Sequence, residues 1–453
     1  MPLVLKFGGS SVADATCMRQ VAGIVAGALA QGPLVVLSAM GKTTNALFAA
    51  ATAAEAGNLA EALAGLEALA AAHRKAAQDL VVGGRRGPLD QELTALFSEL
   101  EMLLRGVALL RELSPRSMDA IAAFGERLST RVFEAHLRDA GMDSVWFDAR
   151  TVLRTDAGFG SAQPRPGEIE RAAQSRLRPL LGPGRAVVTQ GYIGATEDGL
   201  TTTLGRGGSD YSAALLGAAL GAAEVQIWTD VEGVLTCDPR VVPGALPIPE
   251  LSFAEAGELA AFGAKVLHPA TIQPAVEARI PVTVRHTRLP EGRFTTITGS
   301  FRTGRPVTAL ASRGPITTLT VTSSRMLAQS GFLARLFEVF ARRGVSVDLI
   351  ATAEVSVSLT VEADAPLKAL VADLSAFARV DVAEDRAIVA IVGERLKATP
   401  GLAARAFGAL GGINVEMISM GANEINLSLV LRRDQAEEAL RRLHRALIEE
   451  GVG

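Results

Sequence analysis

The chain opens on LVLKFGGSS, residues 3–11. The apolar run Leu3-Val4-Leu5-Lys6-Phe7 reads as a buried strand. It is broken at once by Gly8, Gly9, Ser10 and Ser11, and a helical pattern then runs to Ala30. LVVLS, residues 34–38, is a second buried strand, ending in Ala39-Met40-Gly41-Lys42-Thr43-Thr44-Asn45. Strand, turn, helix and strand in this order begin a parallel α/β sheet, whose ligands lie beyond the carboxyl ends of the strands. Both polar clusters lie at that end.

A third cluster, TTTLGRGGSDYS, occupies residues 201–212 between a strand pattern (186–190) and an Ala/Leu-rich helix pattern (213–220). A Gly-rich turn entering a helix sets backbone N–H groups and the positive dipole end against an anion. The competing reading is an ordinary glycine turn. Arg206 offers a planar fork for a carboxylate or phosphate. Asp210 can either cap the helix or hold a cation.

The 453 residues predict two to four domains. With 49% hydrophobic and 21% charged residues, the composition is that of a globular protein with ample core. A net charge of −3 and no basic stripe argue against a nucleic-acid partner. Cys17 and Cys237 are far apart and in no metal-ligand spacing, which fits a reducing cytoplasm, and no residue set reads as a dedicated metal site. No signal peptide or membrane-length apolar run is present, so the expectation is a cytoplasmic protein of metabolites with no membrane partner.

In order, residues 46–113 read as helical with a loop at 83–88. Ser114 and Pro115 start a helix that carries residues 124–130, and a strand follows at 145–148. Further strands fall at 225–228 and 281–284, the latter closing the sheet, with a helix at 253–263 between them. His268, before Pro269, reads as structural. The Gly/Thr/Arg/Pro-rich stretch 288–306 reads as a domain boundary.

Beyond it the chain repeats: GVSVDLI (344–350) matches GINVEMI (412–418). The first copy reads βαββαβ from Ile316 to about Val382. The second reads βαββα from Ala387 and lacks a last strand. An unassigned strand at 307–311 precedes the first copy and is predicted to complete the second, so that the two interlock.

Several phosphate-sized turns suggest a nucleotide enzyme, yet neither a Walker A loop nor a Rossmann fingerprint is present. Gly41-Lys42-Thr43 resembles a Walker tail, but Val36 stands where the upstream glycine is required. Phosphoryl transfer on another scaffold would rest on positioning and on charge neutralisation by lysines, amides and Mg2+.

KFGGSS (6–11), SAMGKTTN (38–45), TLGRGGSD (203–210), WTDV (228–231) with DPR (238–240), and FGAKVLHP (262–269) together resemble the aspartokinase family in order and spacing. The tandem repeat resembles that family's paired ACT domains. The resemblance implies an α/β amino-acid-kinase (carbamate-kinase-like) αβα sandwich with a mostly parallel sheet over residues 1–300. It also implies two ferredoxin-like βαββαβ ACT domains, at 316–383 and at 306–312 plus 386–453. The implied reaction is ATP-dependent phosphorylation of the side-chain carboxylate of L-aspartate to 4-phospho-L-aspartate, the first step of lysine, threonine and methionine biosynthesis. That carboxylate is ionised at neutral pH, so no general base is needed.

By the same resemblance Lys6 neutralises the transferring phosphoryl group and Asp210 holds a lysine or ammonium in place, both as catalytic residues. Asp210 also contacts the substrate region. Arg206 grips the α-carboxylate, Glu126 the α-ammonium, and Thr44 closes the pocket. The nucleotide falls to Lys6, Gly8, Gly9, Ser10, Thr229, Asp230, Leu235, Arg240 and Lys265. Leu235 stands where relatives place an aromatic residue against adenine, so apolar packing replaces stacking there.

The first repeat is similar to those of lysine-sensitive aspartokinases. It implies a lysine site from Met326, Ser330, Gly331, Phe332, Leu333, Ser346, Val347, Asp348, Thr352 and Glu354, with Gln329 nearby and threonine as the lesser effector. The second copy has Lys397-Ala398-Thr399-Pro400 at its turn, which suits interlocking and assembly as a homodimer or higher homo-oligomer. Two other readings compete, a kinase for glutamate-type substrates and a catalytically silent amino-acid sensor. The silent sensor predicts loss of Lys6, Arg206 or Asp210, and all three are present.

Overall fold

The computed structural model describes residues 1–263, 269–299, 306–327, 330–421 and 423–450. It divides into two compact units. One is Met1–Val234 with Pro249–Phe253 and Val266–Ser300; the other is Leu235–Ile248 with Ala254–Lys265 and Phe301–Gly453. The division is therefore not a single cut near residue 300.

The first unit begins with β1 (Leu3–Phe7), α1 (Ala15–Ala28) and β2 (Leu34–Leu37). Helices α2 (Thr43–Glu55), α3 (Leu59–Leu80), α4 (Arg86–Leu110), α5 (Pro115–Ala122) and α6 (Phe124–Asp139) lead to β3 (Asp143–Phe147). Next come α7 (Pro166–Ala172), β4 (Arg185–Gln190), the hairpin β5 (Ile193–Ala195) and β6 (Thr201–Thr203), α8 (Gly208–Leu220), β7 (Glu224–Thr229) and β8 (Glu250–Ser252). After α9 (Phe253–Ala261), which beyond Phe253 belongs to the second unit, the first unit ends with α10 (Pro269–Glu277), β9 (Val282–His286) and β10 (Phe294–Thr298).

The sheet runs β3-β4-β2-β1-β7-β9-β10-β8, parallel from β3 to β9. Alternation along β1 assigns its faces. Leu3, Leu5 and Phe7 pack into the core built with α1 to α6. Val4 points the other way, toward Gly217 of α8. A strand's side chains alternate with period 2, so Lys6 shares the α8 face with Val4.

Several local expectations change. Residues 201–203 form strand β6 rather than part of the glycine turn, because three consecutive threonines pair with β5. The expected loop at 83–88 is shortened, since α4 already starts at Arg86. The helix opened by Ser114, whose hydroxyl accepts from the Ser117 amide at 3.2 Å, is two helices, α5 and α6. The strand at 281–284 does not close the sheet. Within the expected boundary stretch, FTTIT forms β10, antiparallel to β9, and buries Thr295 and Ile297 in alternation.

The second unit holds β11 (Ala309–Thr322), α11 (Phe332–Arg342), β12 (Ile350–Thr352), β13 (Ser356–Glu362), α12 (Leu367–Ser375), β14 (Arg379–Val392), α13 (Leu402–Ala409), β15 (Met417–Met420), β16 (Asn426–Arg432) and α14 (Ala436–His444). Its sheet runs β12-β13-β11-β14-β16-β15. β11 and β14 are both 14 residues long, and each serves both repeats. The early half of β11 pairs with the start of the second copy, from Ala309↔Val392 to Arg313↔Ile388. The later half pairs with β13 and with the end of the first copy.

Each copy has its own core. Leu319, Phe332, Leu336 and Phe340 build one; Leu310, Val389, Ile391, Leu402 and Leu427 build the other. Cys237 and Val242 insert into the latter, and the buried Thr236 hydroxyl meets His444 Nε2 at 2.8 Å. Those contacts draw residues 235–248 into this unit. Among the described residues no helix is long and apolar enough to cross a membrane.

Leu310 carries the consequence of the shared strand. Truncating this buried side chain (Leu310→Ala) is expected to cost the second unit about 2–5 kcal/mol. Urea unfolding monitored in that unit reads the loss, whereas a peripheral linker strand would shift by less than about 0.5 kcal/mol.

Candidate active site

Lys6, the penultimate residue of β1, lies on the α8 face and is 8% exposed. Its Nζ lies 2.7 Å from Asp210 Oδ1, in the first turn of α8. The N-cap of α8 is Gly207, in left-handed backbone at φ 71°, and no side chain caps the helix. Of the two roles open to Asp210, holding a cation is the one taken. The end of β1 is fixed to β7 by the Gly8 amide on Trp228 O at 3.3 Å and by Phe7 stacked on Trp228 at 5.9 Å.

The turn after β1 touches the turn after β2. Gly41 N donates to Gly9 O at 3.1 Å, and a Cβ on Gly9 would stand 2.9 Å from Gly41 O. No side chain larger than hydrogen fits at Gly9, so backbone lines this cradle. Ser10 is exposed there. Ser11, which the sequence reading did not single out, is buried and shares a 2.7 Å hydrogen bond with Thr287.

Glu126 approaches the same turn from α6. Its Oε1 accepts from the Ala39 amide at 3.1 Å, while the buried Oε2 has no hydrogen-bond partner among the described residues. Burial pushes this carboxyl up to about 8, against the partial offset of the Ala39 amide. The approach depends on Gly125, where a Cβ would stand 2.7 Å from Ala39 Cβ. Thr44 is half-buried in the first turn of α2, next to Thr43, whose hydroxyl donates to Met40 O at 2.6 Å.

Arg206 sits between Gly205 (φ 75°) and Gly207 (φ 71°). It is exposed, and among the described residues no acidic group pairs with it. The segment is braced by Asp119, a buried carboxylate that the sequence reading passed over. Lys6, Gly8, Gly9, Glu126 and Asp210 thus form one linked cluster at the carboxyl ends of the central strands, an arrangement able to hold an anion beside a zwitterion.

Of the expected nucleotide residues, Thr229 ends β7 and Asp230 follows it, with the Thr229 hydroxyl donating to Asp230 Oδ1 at 3.2 Å. Leu235 and Arg240 belong to the second unit, where Leu235 bridges to Pro247 and the exposed Arg240 pairs with Asp238 at 2.6 Å. Lys265 and His268 lie outside the described residues.

In the first repeat, Phe332, Met326 and Val347 share a core. Ser330, Gly331 (φ 92°) and Leu333 mark the N-terminus of α11, with Ser330 and Leu333 exposed. Ser346, Thr352 and Glu354 are exposed. Asp348 Oδ1 takes Arg313 Nη1 at 3.1 Å, and its buried Oδ2 has no hydrogen-bond partner among the described residues. Arg313, also paired with Glu362, is a second residue the sequence reading missed. Gln329 lies outside the described residues.

Comparison with known proteins agrees with this geometry. The amino acid kinase family model matches residues 1–286, and an ACT domain model matches 319–372 and 389–447. Lysine-sensitive aspartokinase 3 of Escherichia coli (strain K12) is 41% identical over 99% of both chains. The solved structure of E. coli aspartokinase III in complex with aspartate and ADP (R-state) has a TM-score of 0.85, covering 99% of this chain and 100% of that one at 41% identity. The same enzyme in complex with lysine and aspartate (T-state) has a TM-score of 0.82, covering 98% and 99% at 41% identity. With its paired glycine turns, its Lys6–Asp210 pair and its doubled C-terminal sheet, this chain belongs to the aspartokinase family.

Proposed function

We propose that the chain is an aspartate kinase, which uses ATP to phosphorylate the side-chain carboxylate of L-aspartate and is feedback-inhibited by lysine. The observation that carries the substrate reading is Glu126: a buried carboxyl with one oxygen unpartnered among the described residues is costly to ionise unless a cation completes it. The α-ammonium of an amino acid supplies that cation, and the unpaired Arg206 takes the α-carboxylate. Thr44 closes the pocket beside them.

The substrate's side-chain carboxylate is the nucleophile and arrives ionised. Its oxygen bonds to the γ-phosphorus as the bond to the ADP oxygen breaks. Lys6 offsets the charge on the transferring group, and Asp210 holds Lys6 in place. One preorganised group of this kind is worth about 3–4 kcal/mol of barrier. The amides and hydroxyl of Gly8, Gly9 and Ser10, with Thr229 and Asp230, serve the nucleotide phosphates. The contacts expected of Leu235, Arg240 and Lys265 rest on the family's motifs.

Among the described residues no three His, Cys, Asp or Glu side chains converge as a metal cage. Mg2+ would be held chiefly by the nucleotide's phosphates, with Asp210 the protein carboxylate available beside Lys6. When bound, Mg2+ neutralises charge on the phosphates.

The same reading assigns residues 1–300 to catalysis, 316–383 to the effector-binding ACT domain, and 306–312 with 386–453 to the second, interlocked one. Assembly as a homodimer or higher homo-oligomer through these domains, in the cytoplasm, belongs to it. Lysine's added ammonium matches the buried free oxygen of Asp348. The exposed Leu333 and the amides at the start of α11 stand with it.

Incubation with ATP, Mg2+ and hydroxylamine should trap an acyl phosphate from aspartate and not from glutamate or N-acetylglutamate. No hydroxamate from aspartate would overturn the reading. Added lysine should suppress the signal more than threonine, and Asp348→Ala should raise the half-inhibitory lysine concentration about 10-fold or more, the effect of roughly 1.4 kcal/mol.

Glu126 gives a pH signature. Its carboxyl sits at about 8 in the free enzyme, so near pH 7 it is mostly protonated. An ammonium placed against it favours the ionised form, so aspartate binding should release close to one proton per site. Calorimetry in buffers of different ionisation enthalpy reads that proton. Glu126→Gln should abolish it, and a buffer-independent heat in the native enzyme would contradict the assignment.

A further inference from the structure

The segment from Thr203, at the end of β6, to Asp210, in the first turn of α8, carries both Arg206 and the partner of Lys6 and contains three glycines. It is tied to a residue far away in sequence. Asp119, on α5, is 2% exposed. Its oxygens accept from the Thr203 amide at 2.9 Å, the Thr203 hydroxyl at 2.8 Å, and the Gly160 amide at 2.9 and 3.1 Å.

The Gly160 loop in turn backs the segment. Ala162 N donates to Thr203 O at 2.9 Å, and a Cβ on Gly205 would stand 3.2 Å from Ser161 Oγ and 3.3 Å from Gly160 O. From the other side Leu204 N donates to Tyr192 O at 2.9 Å, the Ser212 hydroxyl takes the Tyr192 amide at 2.9 Å, and Gly208 packs flush on the Tyr192 ring. Tyr192 itself holds a left-handed backbone, φ 67°, rare for a bulky residue and sustained by these contacts.

We propose that Asp119 is a positioning residue for the amino-acid substrate, its buried carboxylate fixing Thr203 and the Gly160 loop so that Arg206 is presented at one place. This rests on the reading that Arg206 grips the substrate α-carboxylate. Asp119 has no cation paired with it among the described residues, and N–H and O–H donors alone compensate its charge. Asparagine in its place would turn an NH2 group toward those donors. A carboxylate buried at such cost, for geometry at a site it does not touch, acts through Arg206.

The test uses the full chain with Asp119→Asn, Thr203→Val and Thr203→Ser, and with Arg206→Ala as control, each checked for native circular dichroism. For Asp119→Asn the KM for aspartate should rise about 10- to 100-fold, with the KM for ATP within about 2-fold of the native value. Thr203→Val should move in the same direction, and Thr203→Ser, which keeps the hydroxyl, should restore near-native values. If Asp119→Asn does not fold, the Thr203 pair decides. An unchanged aspartate KM in Asp119→Asn and Thr203→Val, or equal changes in both KM values, beside a raised aspartate KM in Arg206→Ala, would remove the role of Asp119 alone. An unchanged aspartate KM in Arg206→Ala would remove the substrate reading beneath it.

Discussion

A lysine at the buried end of a central strand needs a counter-charge, and the catalytic unit is arranged around supplying it. Lys6 follows Val4 on the α8 face of β1, and Asp210 comes to it from the first turn of α8 at 2.7 Å. Such a pair adds little to stability, because desolvation of two charges consumes most of their attraction. Removing one partner alone leaves an uncompensated buried charge, at about 3–5 kcal/mol. In the proposed reaction the pair is a preorganised charge for the transferring phosphoryl group.

The surroundings are made of backbone because backbone can approach more closely than side chains. Gly9 meets Gly41, Gly125 lets α6 meet Ala39, and a Cβ on Gly191 would stand 2.7 Å from Ser209 Cβ. These contacts draw the turns after β1, β2 and β4 together at one end of the parallel sheet. Glu126 then enters with one oxygen used and one left over. The cluster carries its charge on Lys6, Asp210 and Glu126 and presents backbone at Gly8 and Gly9.

Residues clustered in the chain were legible in the sequence. Lys6 with Gly8 and Gly9, and Arg206 with Asp210, sit in short stretches whose glycines and charges have few other uses. The doubled C-terminal unit was legible because GVSVDLI and GINVEMI repeat, and the strand count left the second copy one strand short. Asp119 was not legible. A lone aspartate on a helix reads as a solvated charge, and its partners lie 41 and 84 residues away. Arg313, 35 residues from Asp348, was hidden for the same reason. Residues 235–248 carry no strand or helix pattern that would place them, and only the insertion of Cys237 and Val242 into the second core assigns them to that unit. β10 was masked by the glycine and arginine flanking it.

The claim that Lys6 and Asp210 act as one charge-bearing unit in phosphoryl transfer is tested most directly by a double-mutant cycle on the single-turnover rate. Lys6→Met and Asp210→Asn should each slow transfer, Lys6→Met by about 10²- to 10³-fold. The double variant should be little slower than the worse single one, the non-additivity of groups that act together. Losses that multiply, or a Lys6→Met enzyme that transfers phosphate at the native rate, would contradict the account.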